Sequence, residues 1–122
     1  MEKILVVDDE VEVCNALKEF LSLKDYEVET ALDGPTALKK VEEFKPHIVL
    51  LDIIMPKMGG VDVLLRIKNI DSQIGVIMIT AVVDEEIAKK TIDLGAYEYL
   101  TKPVNLNYLE KVLMVKMIDI KG

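Results

Sequence analysis

The stretch HIVLLDIIMP, residues 47–56, sets one carboxylate, Asp52, in almost wholly apolar company. A lone buried carboxylate is costly to keep charged, so Asp52 must be solvated or partnered. The aliphatic run before it, IVLL at 48–51, lacks the polar alternation of a half-exposed strand. It reads as a parallel strand covered by helices on both faces. ILVV at 4–7 and VIMI at 76–79 have the same character, whereas EVETA at 27–31 and YEYL at 97–100 alternate. Alternation marks a strand with one wet face, so these two belong at the sheet edges.

The strands are therefore predicted at 3–7, 27–31, 47–51, 75–79 and 97–100, each followed by a segment of helical period. Val13, Ala16, Leu17, Phe20 and Leu21 form one helical stripe; Leu109, Val112, Leu113, Lys116 and Met117 form another, and Cys14 falls beside the first. Pro35 suits a first helical turn, Asp84 can cap the helix that Gly95 stops, and Gly59-Gly60 permits a turn before the helix at 61–68. Five β-α units predict a doubly wound α/β fold, a five-stranded parallel sheet of order 2-1-3-4-5 with five helices. The whole chain, residues 1–122, is read as one domain without an attached output domain.

Bulk properties narrow the function. A net charge of −7 argues against direct nucleic-acid binding, which needs clustered Lys and Arg. The longest apolar stretch, residues 74–83, is broken by Gly75 and Thr80 and is too short to span a bilayer. The N-terminus does not read as a signal peptide, and the single cysteine cannot form an internal disulfide. A cytoplasmic location, with no membrane contact, is the expectation.

In a doubly wound sheet, ligands bind at the carboxyl ends of the strands, near the point where strand order reverses. Asp8 and Asp9 follow strand one, Asp52 follows strand three, Thr80 follows strand four and Lys102 comes just after strand five. Two carboxylates about 4 Å apart repel by roughly 4 kcal/mol at an effective dielectric near 20, so a proton or a cation must offset them. All-oxygen ligands with room for water suit Mg2+. An anion that could bridge the metal, the Lys102 ammonium and the Thr80 hydroxyl is a phosphoryl group. Taken singly, each residue has a plainer explanation: Asp8 or Asp9 as a helix cap, Thr80 as a strand residue, Lys102 as a solvated loop lysine. Their convergence on one edge favours a site.

VVDD at 6–9, LLDIIMPKMGG at 50–60, ITA at 79–81 and YLTKP at 99–103 closely resemble the receiver domain of two-component response regulators, over essentially the whole chain. The resemblance implies a flavodoxin-like fold and a phosphorylation-activated signalling switch rather than a turnover enzyme. It implies that Asp52 accepts a phosphoryl group from a phosphohistidine on a sensor histidine kinase. It further implies that Asp9 and Asp52, with the backbone carbonyl of Ile54, hold Mg2+, and that Asp8 acts largely through metal-bound water. Lys102 would pair with a phosphoryl oxygen, Thr80 would turn toward another, and Tyr99 would follow inward. That change would reshape the surface at residues 84–117, formed by the fourth helix, fifth strand and fifth helix, and so control a downstream partner, an attached output domain or a homodimer. The Lys102–Pro103 peptide bond is expected to be cis. The start of the first helix and the Pro103 loop are the expected kinase-docking surface.

Ile54 and Val82, two residues after Asp52 and Thr80, are bulky and apolar, and are expected to exclude attacking water and slow loss of the phosphoryl group. Three other readings stay open. An aspartate-nucleophile phosphohydrolase would carry a second acid at position 54, where this chain has Ile54. A binding module could keep the fold without the switch. Phosphate could instead sit on His47, the only histidine, at the opposite end of strand three.

Overall fold

The structure, a computed structural model, describes residues 1–121. The elements run β1 (Lys3–Val7), α1 (Val11–Leu23), β2 (Glu27–Ala31), α2 (Gly34–Phe44), β3 (Ile48–Leu51), α3 (Gly60–Ile70), β4 (Gly75–Thr80), α4 (Glu85–Asp93), β5 (Glu98–Thr101) and α5 (Leu106–Lys121). All strand pairs are parallel, and the order is β2-β1-β3-β4-β5.

The apolar strands behave as their sequences require. Successive side chains point to opposite faces, so Ile4, Val6, Ile48, Leu50, Ile77 and Ile79 meet α1 and α5. Leu5, Val7, Val49, Leu51, Val76 and Met78 meet α2 and α3 on the other face. Every residue of β3 and β4 is buried, whereas β5 has no buried residue and β2 begins exposed.

Strand ends differ from expectation by single residues. β3 starts at Ile48, although His47 keeps its backbone N–H on the Lys3 carbonyl at 2.9 Å. β4 extends to Thr80 and β5 occupies Glu98–Thr101, because Thr80 lies opposite Thr101 in the ladder. The α1 stripe also needs correction. Cys14, Leu17 and Leu21 are buried, with Val13 and Phe20 packed at the margin, and Ala16 is exposed. Cys14 shares the inward row with Leu17 and Leu21, where its thiol donates to the Asp8 carbonyl at 3.3 Å and burial pushes the thiol pKa up to about 11. Pro35 lies in the first turn of α2, whose Asp33 cap accepts from the Thr36 N–H. Asp84 caps α4 by accepting from the Glu86 and Ile87 N–H groups, and Gly95 follows that helix at φ 111°. By contrast, α3 runs beyond the expected 61–68 at both ends, from Gly60 to Ile70.

Main-chain pairing continues one residue past three strands. The Asp8 N–H donates to the Ala31 carbonyl (3.1 Å), Asp52 N–H to Val7 (3.0 Å) and Lys102 N–H to Thr80 (2.9 Å). The sheet thus fixes the backbone of three ionisable residues along one edge.

Candidate functional site

Asp8 and Asp52 leave β1 and β3, which are neighbours in register, so their carboxylates emerge side by side. Both are buried, at 3% and 6% exposure. Between them stands the Lys102 ammonium, 2.8 Å from Asp8 Oδ2 and 3.0 Å from Asp52 Oδ2. The other Asp8 oxygen accepts from the Glu10 N–H at 2.9 Å, and the other Asp52 oxygen from the Ile53 N–H at 2.7 Å. The Lys102–Pro103 peptide bond is cis.

Asp9 is exposed at the rim. Asp8, Asp9, Glu10 and Asp52 each offer an oxygen, and these four atoms lie within 4.8 Å of one another. Several carboxylate oxygens converging on one partly open point match the hard-oxygen preference of Mg2+, so the donor set fits that ion. Ile54 follows in the β3–α3 loop with its side chain 68% exposed. It is a surface side chain beside the site.

Thr80, 1% exposed, ends β4 with its hydroxyl accepting from the Val82 N–H at 3.3 Å. The Tyr99 hydroxyl donates to the Val82 carbonyl at 2.6 Å. Thr80 and Tyr99 are therefore joined through the backbone of one residue, Val82, whose side chain is half-buried. Burial, with the charges of Asp84 and Asp52, raises the Tyr99 hydroxyl above its ordinary value and keeps it a donor.

Glu10 was not among the sequence-derived site residues. Its carboxylate lies 3.0 Å from the Lys102 ammonium, although it is 62% exposed. The signal was present as the third acid of the run DDE directly after strand one. His47 lies at the far end of the sheet, where its Nδ1 accepts from the Lys3 N–H at 2.9 Å.

The charges oppose one another. Burial raises the Asp8 carboxyl above its ordinary value, outweighing the hydrogen bonds from Lys102 and the Glu10 N–H. Burial alone would lower Lys102, but its bonds to Asp8, Asp52 and Glu10 together outweigh that and leave it raised. Because folded Asp8 keeps its proton to higher pH than in the unfolded chain, ionising it removes stability. Without divalent cations, Asp8 is expected to make stability fall as pH rises above 3.8 and through its folded value. Urea midpoints measured across that range should be flatter in Asp8→Asn; equal slopes would refute this.

The response regulator receiver domain family model matches residues 4–114. The chain is a member of that family. A receiver domain is a signalling switch of two-component systems, not a classical enzyme. The Bacillus subtilis alkaline phosphatase synthesis transcriptional regulatory protein PhoP is 42% identical over 103 residues, 84% of this chain and 42% of that protein. The receiver domain spans less than half the length of the first curated relatives it matches. Among solved structures, a CheY-like receiver domain protein from Methanospirillum hungatei superposes with a TM-score of 0.95 at 29% identity, covering 99% of this chain and 97% of that one. A chain of the CheX-CheY-BeF3-Mg+2 complex from Borrelia burgdorferi gives 0.89 at 32% identity, covering 93% and 87%. No described helix of this receiver domain is long and apolar enough to cross a membrane.

Proposed function

We propose that this receiver domain takes a phosphoryl group onto Asp52 from a phosphohistidine of a sensor histidine kinase and passes the change to its α4-β5-α5 surface. The observation that carries this reading is the Lys102 ammonium held 3.0 Å from Asp52 on the edge where the carboxylates converge. In the transfer, an Asp52 oxygen attacks phosphorus, the phosphorus–nitrogen bond breaks, and its electron pair returns to the imidazole. Lys102 is placed to meet charge on the phosphoryl oxygens, and the Ile53 N–H fixes the orientation of the Asp52 carboxylate. Asp8, Asp9 and Asp52, with the Ile54 carbonyl, would hold Mg2+. That ion, when bound, would supply further neutralisation of phosphoryl charge.

The response would run through Val82. A phosphoryl oxygen that draws the Thr80 hydroxyl breaks its bond from the Val82 N–H, and Val82 also holds the Tyr99 hydroxyl. A small event at Asp52 therefore reaches the loop before α4 and the edge strand β5. The output would be a downstream protein, an attached domain or a second copy meeting the α4-β5-α5 surface. The kinase would dock at the apolar groove beside the site, lined by Val13, Ala16, Leu17, Pro103, Val104 and Leu106.

Incubation with acetyl phosphate and Mg2+ is expected to give a hydroxylamine-labile label that is lost in Asp52→Ala. Absence of any Mg2+-dependent label would favour a plain binding module, and turnover of a phosphate ester would favour a hydrolase. Ile54 and Val82 are proposed to slow escape of the phosphoryl group by limiting water near it. Ile54→Asn with Val82→Glu is expected to shorten the half-life of the label about tenfold, as a positioned polar group aids attacking water; an unchanged half-life sinks that role.

A further inference from the structure

Glu10 holds a position that the phosphotransfer reading leaves without a task. It is the residue before α1, yet its side chain makes no cap bond to that helix. Instead it turns to Lys102, at 3.0 Å. A lysine ammonium has three N–H donors and no more. Here they face Asp8 at 2.8 Å, Asp52 at 3.0 Å and Glu10 at 3.0 Å. A phosphoryl oxygen arriving at Asp52 needs one of those donors, so one carboxylate must give way.

The three carboxylates are not equivalent. The side chains of Asp8 and Asp52 are 4% and 7% exposed, whereas that of Glu10 is 62% exposed. Releasing a buried carboxylate leaves a charge unpaired away from water, while an exposed one exchanges its partner for solvent at little cost. Glu10 also lines the apolar groove at which the kinase is proposed to dock. Its negative charge there opposes the approach of an anion, and the opposition grows with the charge of the donor.

We propose that Glu10 is a positioning and selectivity residue: it occupies the third donor of Lys102 until a phosphoryl oxygen displaces it, and it disfavours highly charged free phosphoryl donors. A phosphohistidine buried against the groove brings its own protein surface to compensate, whereas a small dianion does not. This inference rests on Asp52 being the phosphoacceptor.

The test compares initial labelling rates with dianionic acetyl phosphate and monoanionic phosphoramidate, at saturating Mg2+, in wild type, Glu10→Gln and Glu12→Gln. Glu12 is exposed one residue into α1 and loses the same charge without touching Lys102. Glu10→Gln is expected to speed labelling by acetyl phosphate about threefold or more at low ionic strength and labelling by phosphoramidate less. The difference should narrow at about 0.5 M salt, where screening is strong, and Glu12→Gln should stay near wild type. Nitrogen-15 NMR of the Lys102 ammonium, without donor or metal, should shift in Glu10→Gln and not in Glu12→Gln. Asp52-dependent labelling that ignores Glu10, responds equally with both donors, or responds equally to Glu12→Gln overturns the inference alone, as does an unmoved Lys102 signal. No label in wild type, or a label surviving in Asp52→Ala, overturns the phosphoacceptor reading and the inference with it.

Discussion

Replacing Lys102 with methionine is expected to lower folding stability by about 3 kcal/mol at pH 7 without divalent cations, because removing one partner strands buried charge. The ammonium pairs with both Asp8 and Asp52, and nothing else of positive charge among the described residues pairs with either. Methionine keeps a long flexible apolar stem, so the change isolates the charge. Without it, Asp8 loses the hydrogen bond that offsets its burial and holds its proton to still higher pH in the folded state than in the unfolded chain. The loss should therefore be greatest at high pH and shrink as the pH falls toward the ordinary carboxyl value of 3.8. Adding Asp8→Asn should recover much of it, and Mg2+ should recover part by supplying positive charge to the same oxygens. Urea unfolding with and without Mg2+ reads all three effects. A midpoint indifferent to the substitution would mean that Lys102 does not offset the acids.

The sheet was legible in the sequence because burial on both faces removes polar alternation from a strand. ILVV, IVLL and VIMI could hardly be anything else between helical segments, and the switch-point rule then placed Asp8, Asp9, Asp52, Thr80 and Lys102 on one edge. What escaped depends on side-chain direction over a long reach. Glu10 meets Lys102 across 92 residues of sequence through a flexible, largely exposed stem. Periodicity carries no information on such a pairing. The α1 stripe failed at Ala16 because the helix is turned slightly from the phase its apolar residues suggest, so that Cys14, Leu17 and Leu21, at i, i+3 and i+7, form the inward row. The exposure of Ile54 was equally hidden, because the apolar run IIMP gives no sign that its side chain lies at the surface beside the site.

Gly60 shows how far the site depends on a residue with no side chain. Gly60→Ala is expected to destabilise the protein by about 3 kcal/mol or more, as overpacking against immovable atoms does. The added Cβ would overlap the Asp52 carbonyl oxygen and come within 2.7 Å of Ile53 Cα, and these are backbone atoms that cannot swing aside. The Gly60 N–H also donates to the Ile53 carbonyl at 2.7 Å, tying the start of α3 to the residue after Asp52. Relief requires α3 to back away or the β3–α3 loop to open, and either motion displaces Asp52 and Ile54 relative to Asp8. Mg2+ affinity, measured by titration calorimetry on the folded fraction, should fall together with the unfolding midpoint. Gly59→Ala is the comparison: its Cβ would find nothing nearer than the Ile53 carbonyl at 3.7 Å, and its φ of −67° suits alanine. That neighbour should lose no more than about 1 kcal/mol, the cost of alanine at a helix N-cap. Equal losses at both positions would show that the close approach of α3 to Asp52 does not hold the site together. A loss confined to Gly60 would mean that the second glycine of the pair is kept open by the main chain of Asp52 itself.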